Sequence, residues 1–155
     1  MTQFHLAQVN IAVGKSTLDD PVMAGFVTEL DRINTLADNS KGFVWRLQTE
    51  EGDATSIKAF DDERIILNLS VWESVADLKN YVYSGDHLEI LKNKKEWFVK
   101  SNIPHMALWW IPVGAMPTVA EAVEKLRLIA ECGETEEAFN FVRSFAPPSV
   151  QLVEE

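Results

Sequence analysis

The stretch Ile65-Ile66-Leu67-Asn68-Leu69-Ser70-Val71-Trp72 decides how the chain is read. Ile65, Leu67, Leu69 and Val71 share one side, and Ile66, Asn68, Ser70 and Trp72 the other. A period of two sustained over the segment predicts a β-strand. Its first side is wholly apolar and needs a core; its second mixes polar and aromatic groups. Ser74 and Asp77 follow as a capping pattern that starts a helix. The helical pattern covers Val75–Phe98, and Ser84-Gly85 breaks it near Tyr83. Asp86 with Glu89 repeats the capping pattern and opens a second helical piece. Leu88, Leu91 and Phe98, with Ile90 and Trp97 beside them, form its apolar face. Ser101-Asn102-Ile103-Pro104 ends it. Met106–Pro112 is then a strand, apolar enough to be covered on both faces. This half of the chain holds four of the five tryptophans and two of the three histidines, so aromatic chemistry is sought here first.

Working outward, Phe4–Val13 reads as a first strand, with Ala7, Val9, Ile11 and Val13 on one face. Asp20-Pro21 starts a helix, an acceptor at the cap followed by a residue whose missing N–H costs nothing there. Met23, Phe26, Val27, Leu30, Ile33 and Ala37 form its stripe, and Asn39-Ser40-Lys41-Gly42 ends it. Phe43–Gln48 is a second strand, and Thr49–Asp62 reads as a long acidic loop. After Pro112, Thr118 and Glu121 cap a third helix, which Gly133 stops. A short helix and a strand around Phe139–Val142 are expected next, then a frayed tail with Pro147-Pro148.

The order is βαββαβ, an α+β class, with a C-terminal helical extension. One domain is expected over 1–155, its core at about 3–131 and its extension at 132–155. Right-handed crossovers place the first and third strands at the centre of a four-stranded antiparallel sheet. Both crossover helices then cover one face. A second copy is the simplest cover for the other, so a homodimer packed sheet to sheet is expected.

With 14 Lys and Arg against 24 Asp and Glu, the net charge is −10. Nucleic-acid binding needs a basic footprint, and an anionic membrane surface needs the same, so neither is an expected partner. The lone Cys132 permits no intrachain disulfide and no cysteine cluster for zinc, and reads as a structural thiol. No apolar run reaches the ~18 residues of a membrane span. No basic-then-apolar leader follows Met1, so a cytoplasmic location is expected.

The runs Leu69–Ser74, Tyr81–His87, Trp97-Phe98, Ala107-Leu108-Trp109-Trp110-Ile111-Pro112-Val113-Gly114, Pro117-Thr118 and Ala138-Phe139 resemble a family of unknown function, DUF3291-like. That family is similar to the dimeric α/β-barrel superfamily, related to antibiotic biosynthesis monooxygenases. The resemblance implies a ferredoxin-like protomer and a dimeric α/β barrel. It implies a fold more firmly than a reaction. The haem-degrading branch uses an Asn, a Trp and a haem-ligating His, and here Asn10, Tyr81 and Leu91 fall at those positions. Two of the three differ, so no haem is expected. The cofactor-free oxygenase branch carries Asn and Trp four apart on the third strand, as Asn68 and Trp72 are.

These residues supply the candidates. His87 lies in a first helical turn, where the helix dipole disfavours imidazolium and leaves a neutral base. His87, Asn68 and Trp72 form the candidate catalytic set. Gln8 and Asn10 on the first strand and Ser70 on the third are polar groups expected on one face, to be satisfied by a bound ligand, one another, water or the dimer partner. Tyr81 and Tyr83 flank the helix break, and Trp97 and Trp110 are candidate aromatic walls. No phosphate loop, metal-ligand spacing or Ser-His-Asp order stands out. The expected activity is that of a small-molecule enzyme, monooxygenase-like and without cofactor or metal, acting on an apolar or aromatic organic substrate. A non-catalytic dimeric ligand-binding or structural module is the alternative, and a haem-binding protein the third reading.

Overall fold

β1 (Phe4–Gly14) runs through the middle of the sheet because both of its edges are paired. β3 (Ile65–Trp72) lies antiparallel along one edge, in register from Leu6 opposite Trp72 to Val13 opposite Ile65. β5 (Met106–Pro112) lies antiparallel along the other, from Phe4 opposite Pro112 to Asn10 opposite Met106. β2 (Phe43–Arg46) joins the outer side of β3. The order β2-β3-β1-β5 has the first and third strands central, as the crossovers require. A short β4 (Phe98–Val99) continues the β5 side by pairing Val13 and Gly14. These elements come from a computed structural model that describes residues 4–47, 64–92, 94–100 and 105–148, with the backbone alone for Ile90 and Leu91. The expected acidic loop at 49–62, the break at 101–104, the acidic end and the Leu91 side chain lie outside the described residues.

α1 (Ala24–Asp38) follows a 3-10 turn, Pro21–Met23, capped by Asp20. Arg46 Nε donates to Asp38 Oδ1 at 2.8 Å, tying the end of α1 to β2. Gly42 makes the turn between them with φ +83°, and a Cβ there would collide with the Asp77 carboxylate, so only glycine fits. The broken helix resolves into α2 (Val75–Val82), α3 (Gly85–Leu91) and α4 (Lys94–Trp97). Ser74 caps α2. The sequence predicts Asp86 as the cap of α3; Ser84 takes that place, its Oγ accepting the His87 backbone N–H at 3.2 Å. Serine precedes the carboxylate in the chain, so the helix starts two residues earlier.

The largest departure concerns the second face of the sheet. α5 (Val119–Cys132), capped by the reciprocal Thr118–Glu121 box, lies on it. Ala122, Leu126 and Ile129 pack against Ala7, Val9, Ile11, Leu67, Leu69, Val71, Ala107, Trp109 and Ile111. The bare face that led to a sheet-to-sheet dimer is therefore covered within one chain, and that route to a dimer loses its motive. Past α5 the expected helix and strand are absent. A single bridge pairs Phe139 with the outer edge of β5, through Leu108 N to Phe139 O at 2.7 Å and Phe139 N to Leu108 O at 2.9 Å. Phe139 is buried there, and Phe141 and Phe145 pack beside it. The segment covers the edge of β5 with aromatic side chains instead of extending the ladder. Cys132 is exposed rather than structural, because it falls at the open end of α5. Among the described residues no helix is long and apolar enough to cross a membrane.

Candidate functional site

On the face opposite α5, side chains form rows across β3, β1 and β5, because residues in antiparallel register point the same way. Trp72, Leu6 and Trp110 make one row; Ser70, Gln8 and Leu108 the next; Asn68, Asn10 and Met106 the third. Burial falls along this series. Trp72 and Leu6 are sealed, Gln8 and Ser70 are 4% and 5% exposed, and Asn10 and Asn68 lie open with Met106 half-buried. α1 and α2 close the first row through Ala37, Leu78 and Tyr81.

Polar groups in the second row are wired together. Gln8 Nε2 donates to Ser70 Oγ at 2.8 Å and to Asn68 Oδ1 at 3.1 Å. Trp72 Nε1 donates to the same Ser70 Oγ at 2.9 Å. The Trp72 ring meets Phe43 edge-on, centroids 5.4 Å apart, and stacks on Tyr81 at 5.2 Å and 28°. Tyr81 in turn packs against the His87 imidazole at 4.7 Å. Its hydroxyl donates to the Ile33 carbonyl at 3.3 Å. Burial, with the Asp38 charge adding to it, pushes the Tyr81 phenol up to about 12.

His87 closes this stack, and its Nδ1 is buried without a hydrogen-bond partner among the described residues. Burial holds its pKa below the ordinary 6.5. The Val82 backbone acts the other way without closing a well-formed bond onto Nδ1. The imidazole is neutral at pH 7, so Nδ1 can accept a proton or a hydrogen bond, or donate one in the other tautomer.

The candidates do not form one constellation. Trp72, Tyr81 and His87 make an aromatic stack under α2 and α3. Asn68, Ser70 and Asn10 make a polar floor beside it, joined to the stack through the Trp72–Ser70 bond. The Trp72 indole N–H is committed to Ser70, so this residue shapes the site from below. Trp110 stands at the first row's far end, its Nε1 donating to the Phe145 carbonyl at 2.9 Å. Tyr83 is exposed and faces Phe141 at 6.1 Å. Trp97 packs against Phe26 and Phe98, next to Gly25, at the start of α1. Sequence reasoning set Gln8 on this face as a polar group in need of partners but not among the site residues, although it joins Asn68 to Ser70. The β1–β3 register that sets Gln8 opposite Ser70 is the signal that finds it. An open hollow of about 330 Å³ on the outside of α1, lined by Asp31, Arg32, Thr35, Leu36 and Asn39, contains none of these residues. Among the described residues no group of three or more His, Cys, Asp or Glu is placed to hold a metal ion.

No curated protein matches the chain significantly. Among solved structures, SnoaB of Streptomyces nogalater, a cofactor-independent oxygenase, is similar at 15% identity and a TM-score of 0.46, over 74% of this chain and 95% of that one. PA3566 of Pseudomonas aeruginosa is similar at 10% identity and a TM-score of 0.49, over 74% and 99%. A Nitrosomonas europaea protein provisionally named an antibiotic biosynthesis monooxygenase is similar at 13% identity and a TM-score of 0.45, over 75% and 93%. A family model matches residues 5–155, nearly the whole chain, and by that match the chain belongs to DUF3291, a domain of unknown function.

Proposed function

We propose that the protein takes a small, largely apolar organic molecule against the sheet face beneath α1 and α2 and oxygenates it, with neutral His87 as the base. The observation that carries this reading is His87 Nδ1, buried and unpartnered on an aromatic stack. Buried polar atoms in folded proteins are nearly always satisfied, and a bound ligand is one way of satisfying this one. Sequence resemblance to the monooxygenase-related superfamily supplies the reaction class. The step asks only for a base and dioxygen. His87 removes a proton from a CH2 made acidic by a conjugated carbonyl, the keto form of an enol or phenol. The resulting carbanion gives one electron to dioxygen, and the pair recombines as a peroxide. Loss of water turns the former CH2 into C=O, so one oxygen atom enters the product and the other leaves as water. The proton held by His87 departs with that water.

An oxygen electrode tests this with a panel of small hydroxyaromatic compounds. Uptake by the wild type and its loss in both His87→Ala and His87→Gln is the expected outcome. Glutamine keeps a donor but cannot carry the proton. Full uptake by His87→Gln would remove His87 from the chemistry.

A second reading, a non-catalytic ligand-binding module, is favoured by one observation: the Trp72 N–H, the Tyr81 hydroxyl and the Gln8 amide N–H groups are all satisfied within the protein. Ligand-induced thermal stabilisation with no uptake across the panel would select it. Haem binding, the third reading, would show as a Soret band in the purified protein.

A further inference from the structure

Ser70 carries one hydrogen-bond donor and two acceptor lone pairs. Gln8 Nε2–H and Trp72 Nε1–H both end on its oxygen, at 2.8 and 2.9 Å. Both lone pairs are thereby used, and the hydroxyl hydrogen is left over, with no acceptor among the described residues. Accepting two hydrogen bonds polarises the O–H and makes it a stronger donor. Next to it on the same strand face, Asn68 Oδ1 is fixed by Gln8, at 3.1 Å. That bond fixes the amide orientation and leaves the two Nδ2 hydrogens free. Asn10, opposite Asn68 on β1, is exposed and makes no side-chain hydrogen bond among the described residues. Gln8 thus holds two neighbouring side chains by their oxygens and leaves their hydrogens unspent.

We infer that Ser70 and Asn68 form a binding floor for a carbonyl or enolate oxygen, with Ser70 Oγ–H and Asn68 Nδ2–H as its two donors, reached from the exposed side at Asn10 and Asn68. The surroundings set the ligand class. Met106, Ala12 and Ile66 are apolar and half-buried around the two asparagines. No cation stands on this face of β1 or β3, and the chain is anionic, with net charge −10. A neutral, flat molecule carrying one carbonyl suits donors of this kind better than a carboxylate or phosphate. The inference rests on the proposed use of this face for an apolar ligand, and it adds where the ligand's oxygen sits.

A matched pair of probes tests it. 2-Acetylnaphthalene carries the carbonyl, and 2-ethylnaphthalene has nearly the same shape without it. Binding of each is measured by calorimetry to the wild type, Ser70→Ala and Asn68→Asp. The aspartate keeps the acceptor for Gln8 and deletes the Nδ2 donors, so it does not depend on Ser70→Ala folding. The wild type should prefer the ketone by about tenfold, the worth of one to two ordinary hydrogen bonds. Each variant should lose most of that preference while holding the hydrocarbon unchanged. In the infrared, the bound carbonyl stretch should move to lower frequency in the wild type and less so in the variants. Equal wild-type binding of both probes would overturn the oxygen floor but leave the apolar site standing. Binding of neither would overturn both. A Ser70→Ala protein that keeps the ketone preference would mean that the Ser70 hydroxyl does not donate to the ligand oxygen, and the assignment would fall.

Discussion

The two faces of the sheet are built from the same strands, one residue out of step, and they do different things. Beneath α5, β1 and β3 contribute Ala7, Val9, Ile11, Leu67, Leu69 and Val71, all buried, with Ile65 partly buried beside them. The polar atom of note on that face is the Trp109 indole nitrogen, which donates to Glu121 Oε2 at 3.2 Å from the first turn of α5. Beneath α1 and α2 the same strands contribute Gln8, Asn10, Asn68, Ser70 and Trp72. Burial there declines from sealed to open within three rows. A face given wholly to apolar burial contributes stability and nothing to chemistry. A face that spends part of its area on amides and a hydroxyl gives up hydrophobic stabilisation of roughly 25 cal/mol per Å2 of apolar surface forgone. It keeps groups that a ligand can address. The proposed site accordingly lies on the face that is less well sealed.

The comparison is tested hardest at the dry face. Trp109 is 2% exposed between the sheet and α5. Trp109→Ala should cost about 3–5 kcal/mol, the range for deleting a large buried aromatic side chain, read from urea unfolding. A loss under about 1 kcal/mol would mean that α5 is only loosely applied. The face could then open to a second copy, and light scattering would show it.

Ser70→Ala on the polar face should cost less, about 1–3 kcal/mol, because it leaves the Gln8 and Trp72 N–H groups without an acceptor. Adding Gln8→Leu to Ser70→Ala should recover part of that loss, since one orphaned donor disappears and apolar area replaces it. No recovery would show that Gln8 is held by more than Ser70 and Asn68. Then the polar face would be a structural network rather than a floor facing a ligand.

Much of this division was legible in the sequence. Strict alternation at Ile65–Trp72 placed Asn68, Ser70 and Trp72 together, and the strand order followed from the crossovers. The Ser84-Gly85 break was visible because serine caps and glycine releases the chain. Other features were not legible for identifiable reasons. The stripe of α5 was read, but an amphipathic helix does not say which face of a sheet it will choose. That choice depends on the length of the turn after Pro112, and it decided against the bare face. Asp86 looked as good a cap as Ser84, since both are strong acceptors two residues apart. The Phe139 bridge is one residue long and has no period to detect. The sharing of Ser70 Oγ by Gln8 and Trp72 needs both the cross-strand register and the indole rotamer, and only the first of these can be inferred from pattern.

Smaller effects sharpen the comparison through titration. Tyr81 lies in the sealed row, its phenol pushed up to about 12 by burial and by Asp38. The folded protein therefore holds this proton more tightly than the unfolded chain. The associated stability is fully present below pH 10 and is lost as pH rises from 10 through about 12. In a Tyr83→Phe background, Tyr81 is the one remaining tyrosine, and its phenolate absorbance should appear near pH 12. Appearance near 10 would mean that the Trp72–Tyr81–His87 stack is open to water.

The smallest expected effect belongs to His87, at the other end of that stack. Burial lowers its pKa below 6.5, with the Val82 backbone partly opposing. A group whose folded pKa is depressed binds fewer protons folded than unfolded. Its contribution to stability is therefore complete above pH 6.5 and is lost as pH falls from there through the folded value. Asp86 and Glu89 on α3, and Lys79 on α2, are the nearby charges along the chain, and all three side chains are exposed or partly so. The dominant cause is desolvation rather than a charge partner, so raising the salt concentration should barely move the titration. Two-dimensional NMR of the imidazole should place its midpoint below 6.5, in a protein with only His5 and His105 to assign beside it. Unfolding curves of wild type and His87→Gln, taken between pH 7.5 and 5, should converge as pH falls, because glutamine does not titrate. If the curves stay parallel, His87 is as well solvated as it would be in the unfolded chain. The aromatic stack would then end at Tyr81, leaving Ser70 and Asn68 as the part of the polar face still available to a ligand.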